Sequence, residues 1–455
     1  MARIETTRPN LVPTLQLLGS ILKEPAFDPK EFDELKRQDL AGLEEQKSDP
    51  QALAFNSFTR YLSPWPKEDP RYTPTIEESI ADYGAATVDD AKRYYVEFYG
   101  ASDATMAVVG DFDSKQVTDL VGTLFGTWQS PKPFERLANE YRDIPATGIT
   151  IATPDKANAW FIAGTNVPMR DDDPDYPAFM LANEILGGGF LNSRLAVRIR
   201  QKDGVSYGVG SFVNASPLDK AGQFIGYAIY APENVAKVET GFKEEVERAR
   251  RDGFTAEEVE KARAGMLQNR QVDRSQDPVA LGELSTELYV GRTMAFEADF
   301  EKRLLALRPA DVTAALRKYV DPAKVTIVKA GRFFESDNAG PAVVQRIDRL
   351  MKSSILNLLQ LSLTACRTAS YPISLPSTSS LPAPLSRCRA GRIRLPCSDL
   401  LLQSRESHHL DLLVAHADHG ISLESGDVAV RVGELVPRRR TPVRDRTACS
   451  GTRGQ

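Results

Sequence analysis

The chain has 455 residues, 42% of them hydrophobic and 26% charged, the balance of a soluble globular protein with two or three domains. Its formal net charge of −5 offers no general basic surface, so nucleic acid is not an expected partner. Nowhere do about 18 apolar residues run together, and no membrane span is expected.

These averages conceal two different polymers joined near Gly340. Residues 341–455 hold 16 Lys+Arg against 9 Asp+Glu, a net of +7, whereas residues 1–340 hold 41 against 53, a net of −12. All four cysteines (Cys366, Cys388, Cys397, Cys449) and all four histidines (His408, His409, His416, His419) lie in the later stretch. So does only one of the chain's 36 aromatic residues, Tyr371. Residues 1–340 therefore have no thiol, no disulfide and no imidazole, which removes most hydrolytic chemistry from that body acting alone.

In chain order, Leu11, Leu15, Leu18 and Leu22 recur at helical spacing. A second helix is expected from Asp28-Pro29 to about Gln46. Thr87–Tyr99 reads as a third, with Ala91, Tyr94, Tyr95 and Phe98 on one face. Ala104–Gly110 (ATMAVVG) is short, apolar and closed by Gly110-Asp111, a buried-strand signal. Asp113–Phe125 is helical again, and Ser130-Pro131-Lys132-Pro133 reads as a linker. Met351–Ala365 has the cadence of a signal peptide, but inside the chain, where such a signal is not normally read.

An internal repeat connects distant parts. At a constant offset of 221, residues 87–112 align with 308–333 without a gap: Asp90 falls on Asp311, Thr105 on Thr326, Gly110 on Gly331 and Phe112 on Phe333. At an offset of 228, Asp49-Pro50 falls on Asp277-Pro278 and Tyr61 on Tyr289. The later copy runs from near Ile144 to near Phe334, and an earlier copy of equal length would start about 75 residues before Met1. The expectation is one complete repeat preceded by the back portion of another.

The most informative segment is Leu186–Val213 (LGGGFLNSRLAVRIRQKDGVSYGVGSFV). A helix from Asn192 to Lys202 is expected to bury Leu195 and Ile199, with Gly204 as its left-handed cap. A strand follows in which Val205, Tyr207, Val209 and Val213 share one face, with Ser206, Gly208 and Gly210 opposite. Two glycines on one strand face mark a place of close approach.

The Arg200-x6-Tyr207 arrangement within RQKDGVSY resembles the C-terminal half of the M16 peptidases, the insulinase/pitrilysin family of zinc peptidases. So do NEILGGGFLNSRL at 183–195, FYGASDATMAVVGDFD at 98–113, and the repeat; the resemblance covers about residues 10–335. It implies two halves, each a pair of related α/β domains, closing like a clamshell around a peptide. The N-terminal half of that family carries zinc on an H-x-x-E-H helix with a distant Glu as third ligand. Carried over residue by residue, Arg200 and Tyr207 become the contacts to the substrate backbone and the oxyanion, with Gly208 beside them. A guanidinium and a phenol are fixed donors suited to a carbonyl that gains charge. The bland alternative is a surface Arg and a core Tyr flanking a helix cap.

The sequence also departs from that family. H-x-x-E-H is absent and no His precedes His408, so this chain is expected to bind no zinc itself; the metal belongs on a partner half. Glu184 stands where the metal helix lies in a catalytic repeat, with apolar neighbours. Glu44 and Glu45 lie where a third ligand is carried, though a solvated helix face is the better reading. Gly187-Gly188-Gly189 lacks the spacing of a phosphate loop and reads as a flexible helix link. Asp171-Asp172-Asp173-Pro174-Asp175 lacks the pattern of a calcium loop and reads as a solvated turn. The four late histidines carry at most adventitious metal.

The fold expected is α+β, each repeat a largely antiparallel sheet covered on one side by helices. Residues 1–137 form the partial repeat, 138–340 the complete M16 C-terminal-type domain, and 341–455 a disordered tail. One Lys against 15 Arg in that tail, with almost nothing aromatic to bury, suggests a frameshifted reading frame. The expected function is the substrate-binding half of a zinc metallopeptidase, inactive alone, that holds an extended peptide for a partner chain. The alternatives are a proteolytically silent scaffold subunit and a non-functional gene fragment.

Overall fold

The computed structural model describes residues 2–333. The expectations for the tail, including its cysteines, its histidines and the segment Met351–Ala365, lie outside the described residues.

Six helices come first: α1 (Leu11–Lys23), α2 (Pro29–Gln46), α3 (Pro50–Leu62), α4 (Ile76–Ala85), α5 (Val88–Phe98) and α6 (Ser114–Phe125). Their starts are written locally. Asp28 accepts from the backbone N–H groups of Lys30 and Glu31, Asp49 from that of Ala52, and Asp113 from that of Gln116. Thr75 with Glu78 and Thr87 with Asp90 form reciprocal capping boxes that satisfy the free amides of α4 and α5. Leu15 and Leu18 of α1 meet Val117, Val121 and Phe125 of α6 in one small core.

Ala104–Gly110 is extended, and Ala104 and Met106 are buried in that same core. It is not one of the five strands of the sheet, whose places are all taken by segments of 148–331. Thr105 and Ala107 within it are β-bridge residues, so the apolar run signals extension as well as burial, outside that sheet.

Those strands are β1 (Gly148–Ala152), β2 (Ala159–Val167), β3 (Ser206–Ala215), β4 (Gly222–Tyr230) and β5 (Thr326–Gly331), in the order β1-β5-β2-β4-β3. β1 pairs parallel with β5; the other pairings are antiparallel. The helices between them are α7 (Tyr176–Asn183), α8 (Val235–Asp252), α9 (Ala256–Asp273), α10 (Asp277–Tyr289), α11 (Ala295–Ala306) and α12 (Pro309–Tyr319).

Strand alternation sends side chains to two buried faces. On one, Phe161 packs on Phe242 of α8, and Phe224 on Phe179 of α7, which in turn meets Tyr319 of α12. On the other, Trp160, Ile162, Ile225, Val328 and Ala330 pack on Ala54, Phe58 and Leu62 of α3. Helices therefore cover the sheet on both sides, and the second cover comes from the N-terminal part of the chain. Gly164 makes that approach possible: a Cβ there would stand 2.8 Å from the tip of the Phe58 ring and 2.4 Å from the Phe224 carbonyl oxygen. The connector 126–147 is tied down beside it, with Tyr61 donating to the Pro145 carbonyl at 2.7 Å and Trp65 held between the guanidiniums of Arg71 and Arg142.

The aligned windows agree in part. The bounds of α5 and α12 coincide at the 221-residue offset, and α3 and α10 lie within one residue of each other at the offset of 228. At the position aligned with β5 the chain has β-bridges at Thr105 and Ala107, and no strand among the described residues.

Candidate functional site

The segment that carries Arg200 and Tyr207 is built on β3 and the chain before it. After α7 the backbone widens into a π-helical turn, Glu184–Gly188, passes through a short helix at Phe190–Asn192, and is π-helical again over Ala196–Lys202. Leu195 and Ile199 are fully buried, as their spacing predicts. Gly204 has φ +66, the left-handed turn that releases the chain into β3.

Three arginines lie along this stretch, and their surroundings differ. Arg194 makes a forked pair with Glu258 at 2.7 and 2.8 Å and also donates to the Gly253 carbonyl. Arg198 pairs with Asp203 and, at 2.9 Å, with Glu244. Arg200 is exposed and makes no hydrogen bond or ion pair among the described residues.

Tyr207 departs from the simple strand pattern. Ser206 pairs with Tyr230 and Gly208 with Ile229, so Tyr207 is the extra residue of a β-bulge. The Ser206 hydroxyl lies 2.8 Å from the carbonyl oxygens of Gly208 and Ile229, which pins that bulge. Val205 and Val209 are buried while Tyr207 is 66% exposed, so these residues do not share one face. The bland reading of a core tyrosine is thereby excluded. A Cβ on Gly208 would meet only Ile229, at 3.8 Å, whereas one on Gly210 would stand 3.1 Å from the Tyr227 hydroxyl. The close approach expected of the two glycines is thus an internal one, at Gly210.

The remaining candidates resolve individually. Gly187 is buried, and a Cβ there would stand 2.2 Å from the Ser211 hydroxyl; the triple glycine is an ordered, tightly packed turn and no flexible link. Asn183 and Ser211 hydrogen-bond beneath it at 2.8 Å. Glu184 is half-buried, burial pushes its carboxyl upward, and it has no ion-pair partner among the described residues. Glu44 and Glu45 are exposed, and Glu44 pairs with Lys47 at 3.0 Å, the expected solvated face. In the aspartate run, Asp171 forms a forked pair with Arg292, Asp172 pairs with Arg170, and Asp175 with Lys318. That turn is an anchor for three cations, more tied than a solvated loop.

Among the described residues no group of three His, Cys, Asp or Glu side chains is placed to hold a metal ion. The donor set does not fit zinc: the site offers a guanidinium and a phenol, which are donors, and one isolated carboxylate. No described helix is long and apolar enough to cross a membrane.

Sequence reasoning passed over one further group, Glu283 and Glu287 of α10. Both carboxyls are pushed up by burial, Glu287 to about 7. Two glutamates one helical turn apart resemble a solvated face, and only the packing of α10 shows otherwise.

With this geometry in hand, residues 85–266 match the sequence family described as Peptidase M16 inactive domain. Over this region the chain is similar to the M16 peptidases. It is 29% identical over 247 residues to an uncharacterized zinc protease of Streptomyces coelicolor, an alignment that covers 52% of each chain. It is 24% identical over 213 residues to YmfF, a probable inactive metalloprotease of Bacillus subtilis, covering 46% of this chain and 48% of that one. The chain thus matches about half the length of these relatives. The solved M16 inactive domain from Pseudomonas fluorescens shares its fold, with a TM-score of 0.61 at 23% identity, over 71% of this chain and 75% of that one.

Proposed function

We propose that this chain is the substrate-holding, non-catalytic half of an M16-type peptidase, which presents an extended peptide to a zinc-bearing half on another polypeptide. The observation that carries the reading is the contrast among Arg194, Arg198 and Arg200. Two are consumed by intramolecular pairs, and the third is exposed and unpaired among the described residues. A guanidinium left in this state is a forked donor for a backbone carbonyl. Tyr207, held outward by the bulge, offers a phenolic donor to a carbonyl that becomes negative. The coincident bounds of α5 and α12 support reading residues 1–137 and 138–340 as related units.

The test supplies a half that carries H-x-x-E-H and measures peptide cleavage by the mixture. Tyr207→Phe removes one hydroxyl from an exposed ring, and turnover falls about 10²–10³-fold, mainly in kcat. Arg200→Lys keeps the charge but loses the fork, and its larger effect is on KM. Wild-type kinetics in both variants would overturn the assignment.

A second reading, a silent scaffold subunit, draws support from the absence of His and Cys in residues 1–340 and from the Bacillus subtilis relative named as inactive. It predicts a stable complex with a partner chain in which neither variant changes any rate.

A further inference from the structure

Helix α10 is held in an unusual way. It buries only Ala280 and Glu287 along its length, and Glu287 is 4% exposed with no hydrogen-bond partner for its Oε2. The Oε2 of Glu283, one turn earlier and so on the same face, is also buried without a partner.

The charged and titratable groups around this face come from five places. The turn before α7 gives Asp171, and α7 itself Tyr176. The loop after α10 gives Arg292. α11 gives Glu297 and Glu301, and α9 with its C-cap residue gives Arg270 and Arg274. The three cations are already committed: Arg292 to Asp171 at 2.8 Å through two nitrogens, Arg270 to Glu297 and Glu301, and Arg274 to Glu301 at 2.5 Å. An ionised Glu287 would face Glu297, Asp171 and Glu283 with no cation of its own. A buried charge without a partner is costly, so the group keeps its proton.

We propose that Glu287 is a proton-operated latch for α10: protonated, it lets the helix dock on this cluster; ionised, it drives the helix off.

The geometry fixes the direction of the effect. Burial, and next the Glu297 carboxylate, push Glu287 up to about 7 from an ordinary value of 4.5. Between those values the docked helix keeps a proton that the undocked helix loses, so docking weakens as pH rises and levels off above the upper value. For a group that titrates at about 7 when docked and 4.5 when open, the opening equilibrium grows about tenfold between pH 6 and pH 8.

Amide hydrogen exchange on the full chain, corrected for intrinsic rates, reads this directly. The amides of α10 open about tenfold more at pH 8 than at pH 6, while those of α3 and α8 hold steady. Glu287→Gln keeps the side chain's shape but cannot ionise, and α10 then shows equal protection at both pH values. Equal opening in the wild type, or an undiminished tenfold change in the variant, overturns the latch. Should the variant fold poorly, the ¹³C carboxyl shift of Glu287 in the wild type, assigned against Glu287→Asp, gives the answer. A midpoint near 7 supports the proposal and one near 4.5 refutes it.

Discussion

Helices α5 and α12 run for eleven residues each, with Asp90 and Asp311 accepting from the amide that precedes each helix, yet α12 buries five residues and α5 none. Tyr319 packs on Phe179 and donates to Asp175, and is 8% exposed. Its aligned residue Phe98 is 42% exposed, with Tyr94 against its ring at 4.8 Å and the Lys132 ammonium above it at 4.4 Å. Both helices carry an apolar stripe. α12 presents its stripe to α7 and the sheet behind it, whereas the stripe of α5 helps line an open groove of about 880 Å³ with Phe27 and Phe32. Amphipathicity says which face of a helix seeks cover, and the rest of the chain decides how much cover it finds.

Four tests, two of them paired across the alignment, probe that contrast, the largest effect first. Leu316 is fully buried on α12, so Leu316→Ala costs about 2–5 kcal/mol in urea unfolding, whereas Tyr95→Ala at its aligned position costs less. An equal loss from the two would break the comparison. Thr313→Val removes the acceptor of the buried Phe254 amide and costs about 1–3 kcal/mol. Lys92, aligned with Thr313, is exposed, and its replacement by Ala is silent within about 0.5 kcal/mol. Thr87→Ala takes away the cap of α5 for about 1 kcal/mol, seen as faster exchange in the first turn of that helix. Last, Phe98→Ser shifts stability by less than about 1 kcal/mol and reduces the apolar surface open to a hydrophobic dye.

Much of this was legible in the sequence wherever the signal was local. Asp28-Pro29 started α2 as expected, and Leu195, Ile199 and Gly204 took their predicted places. Of the candidate site, the sequence names Arg200 and Tyr207, and the structure shows both exposed. The rest depended on what distant segments supply. Ala104–Gly110 had the composition of a strand, and its burial came true against α1 and α6. The bulge at Tyr207 is a property of pairing with β4, which a strict two-residue alternation cannot reveal. Glu287 went unread because nothing in α10 itself records that α9, α11 and the Asp171 turn supply the charges around it.

The seating of Phe58 over Gly164 separates connectivity from cohesion. α3 and the sheet it covers lie on opposite sides of the connector 126–147, and their shared core includes Trp160 and Ile162. Cutting the backbone in that connector divides the polypeptide but leaves this core intact, so the two pieces should co-elute on a sizing column and part only in denaturant. A gene trimmed to begin after the connector produces the opposite situation: an unbroken chain whose sheet has lost one of its two covers.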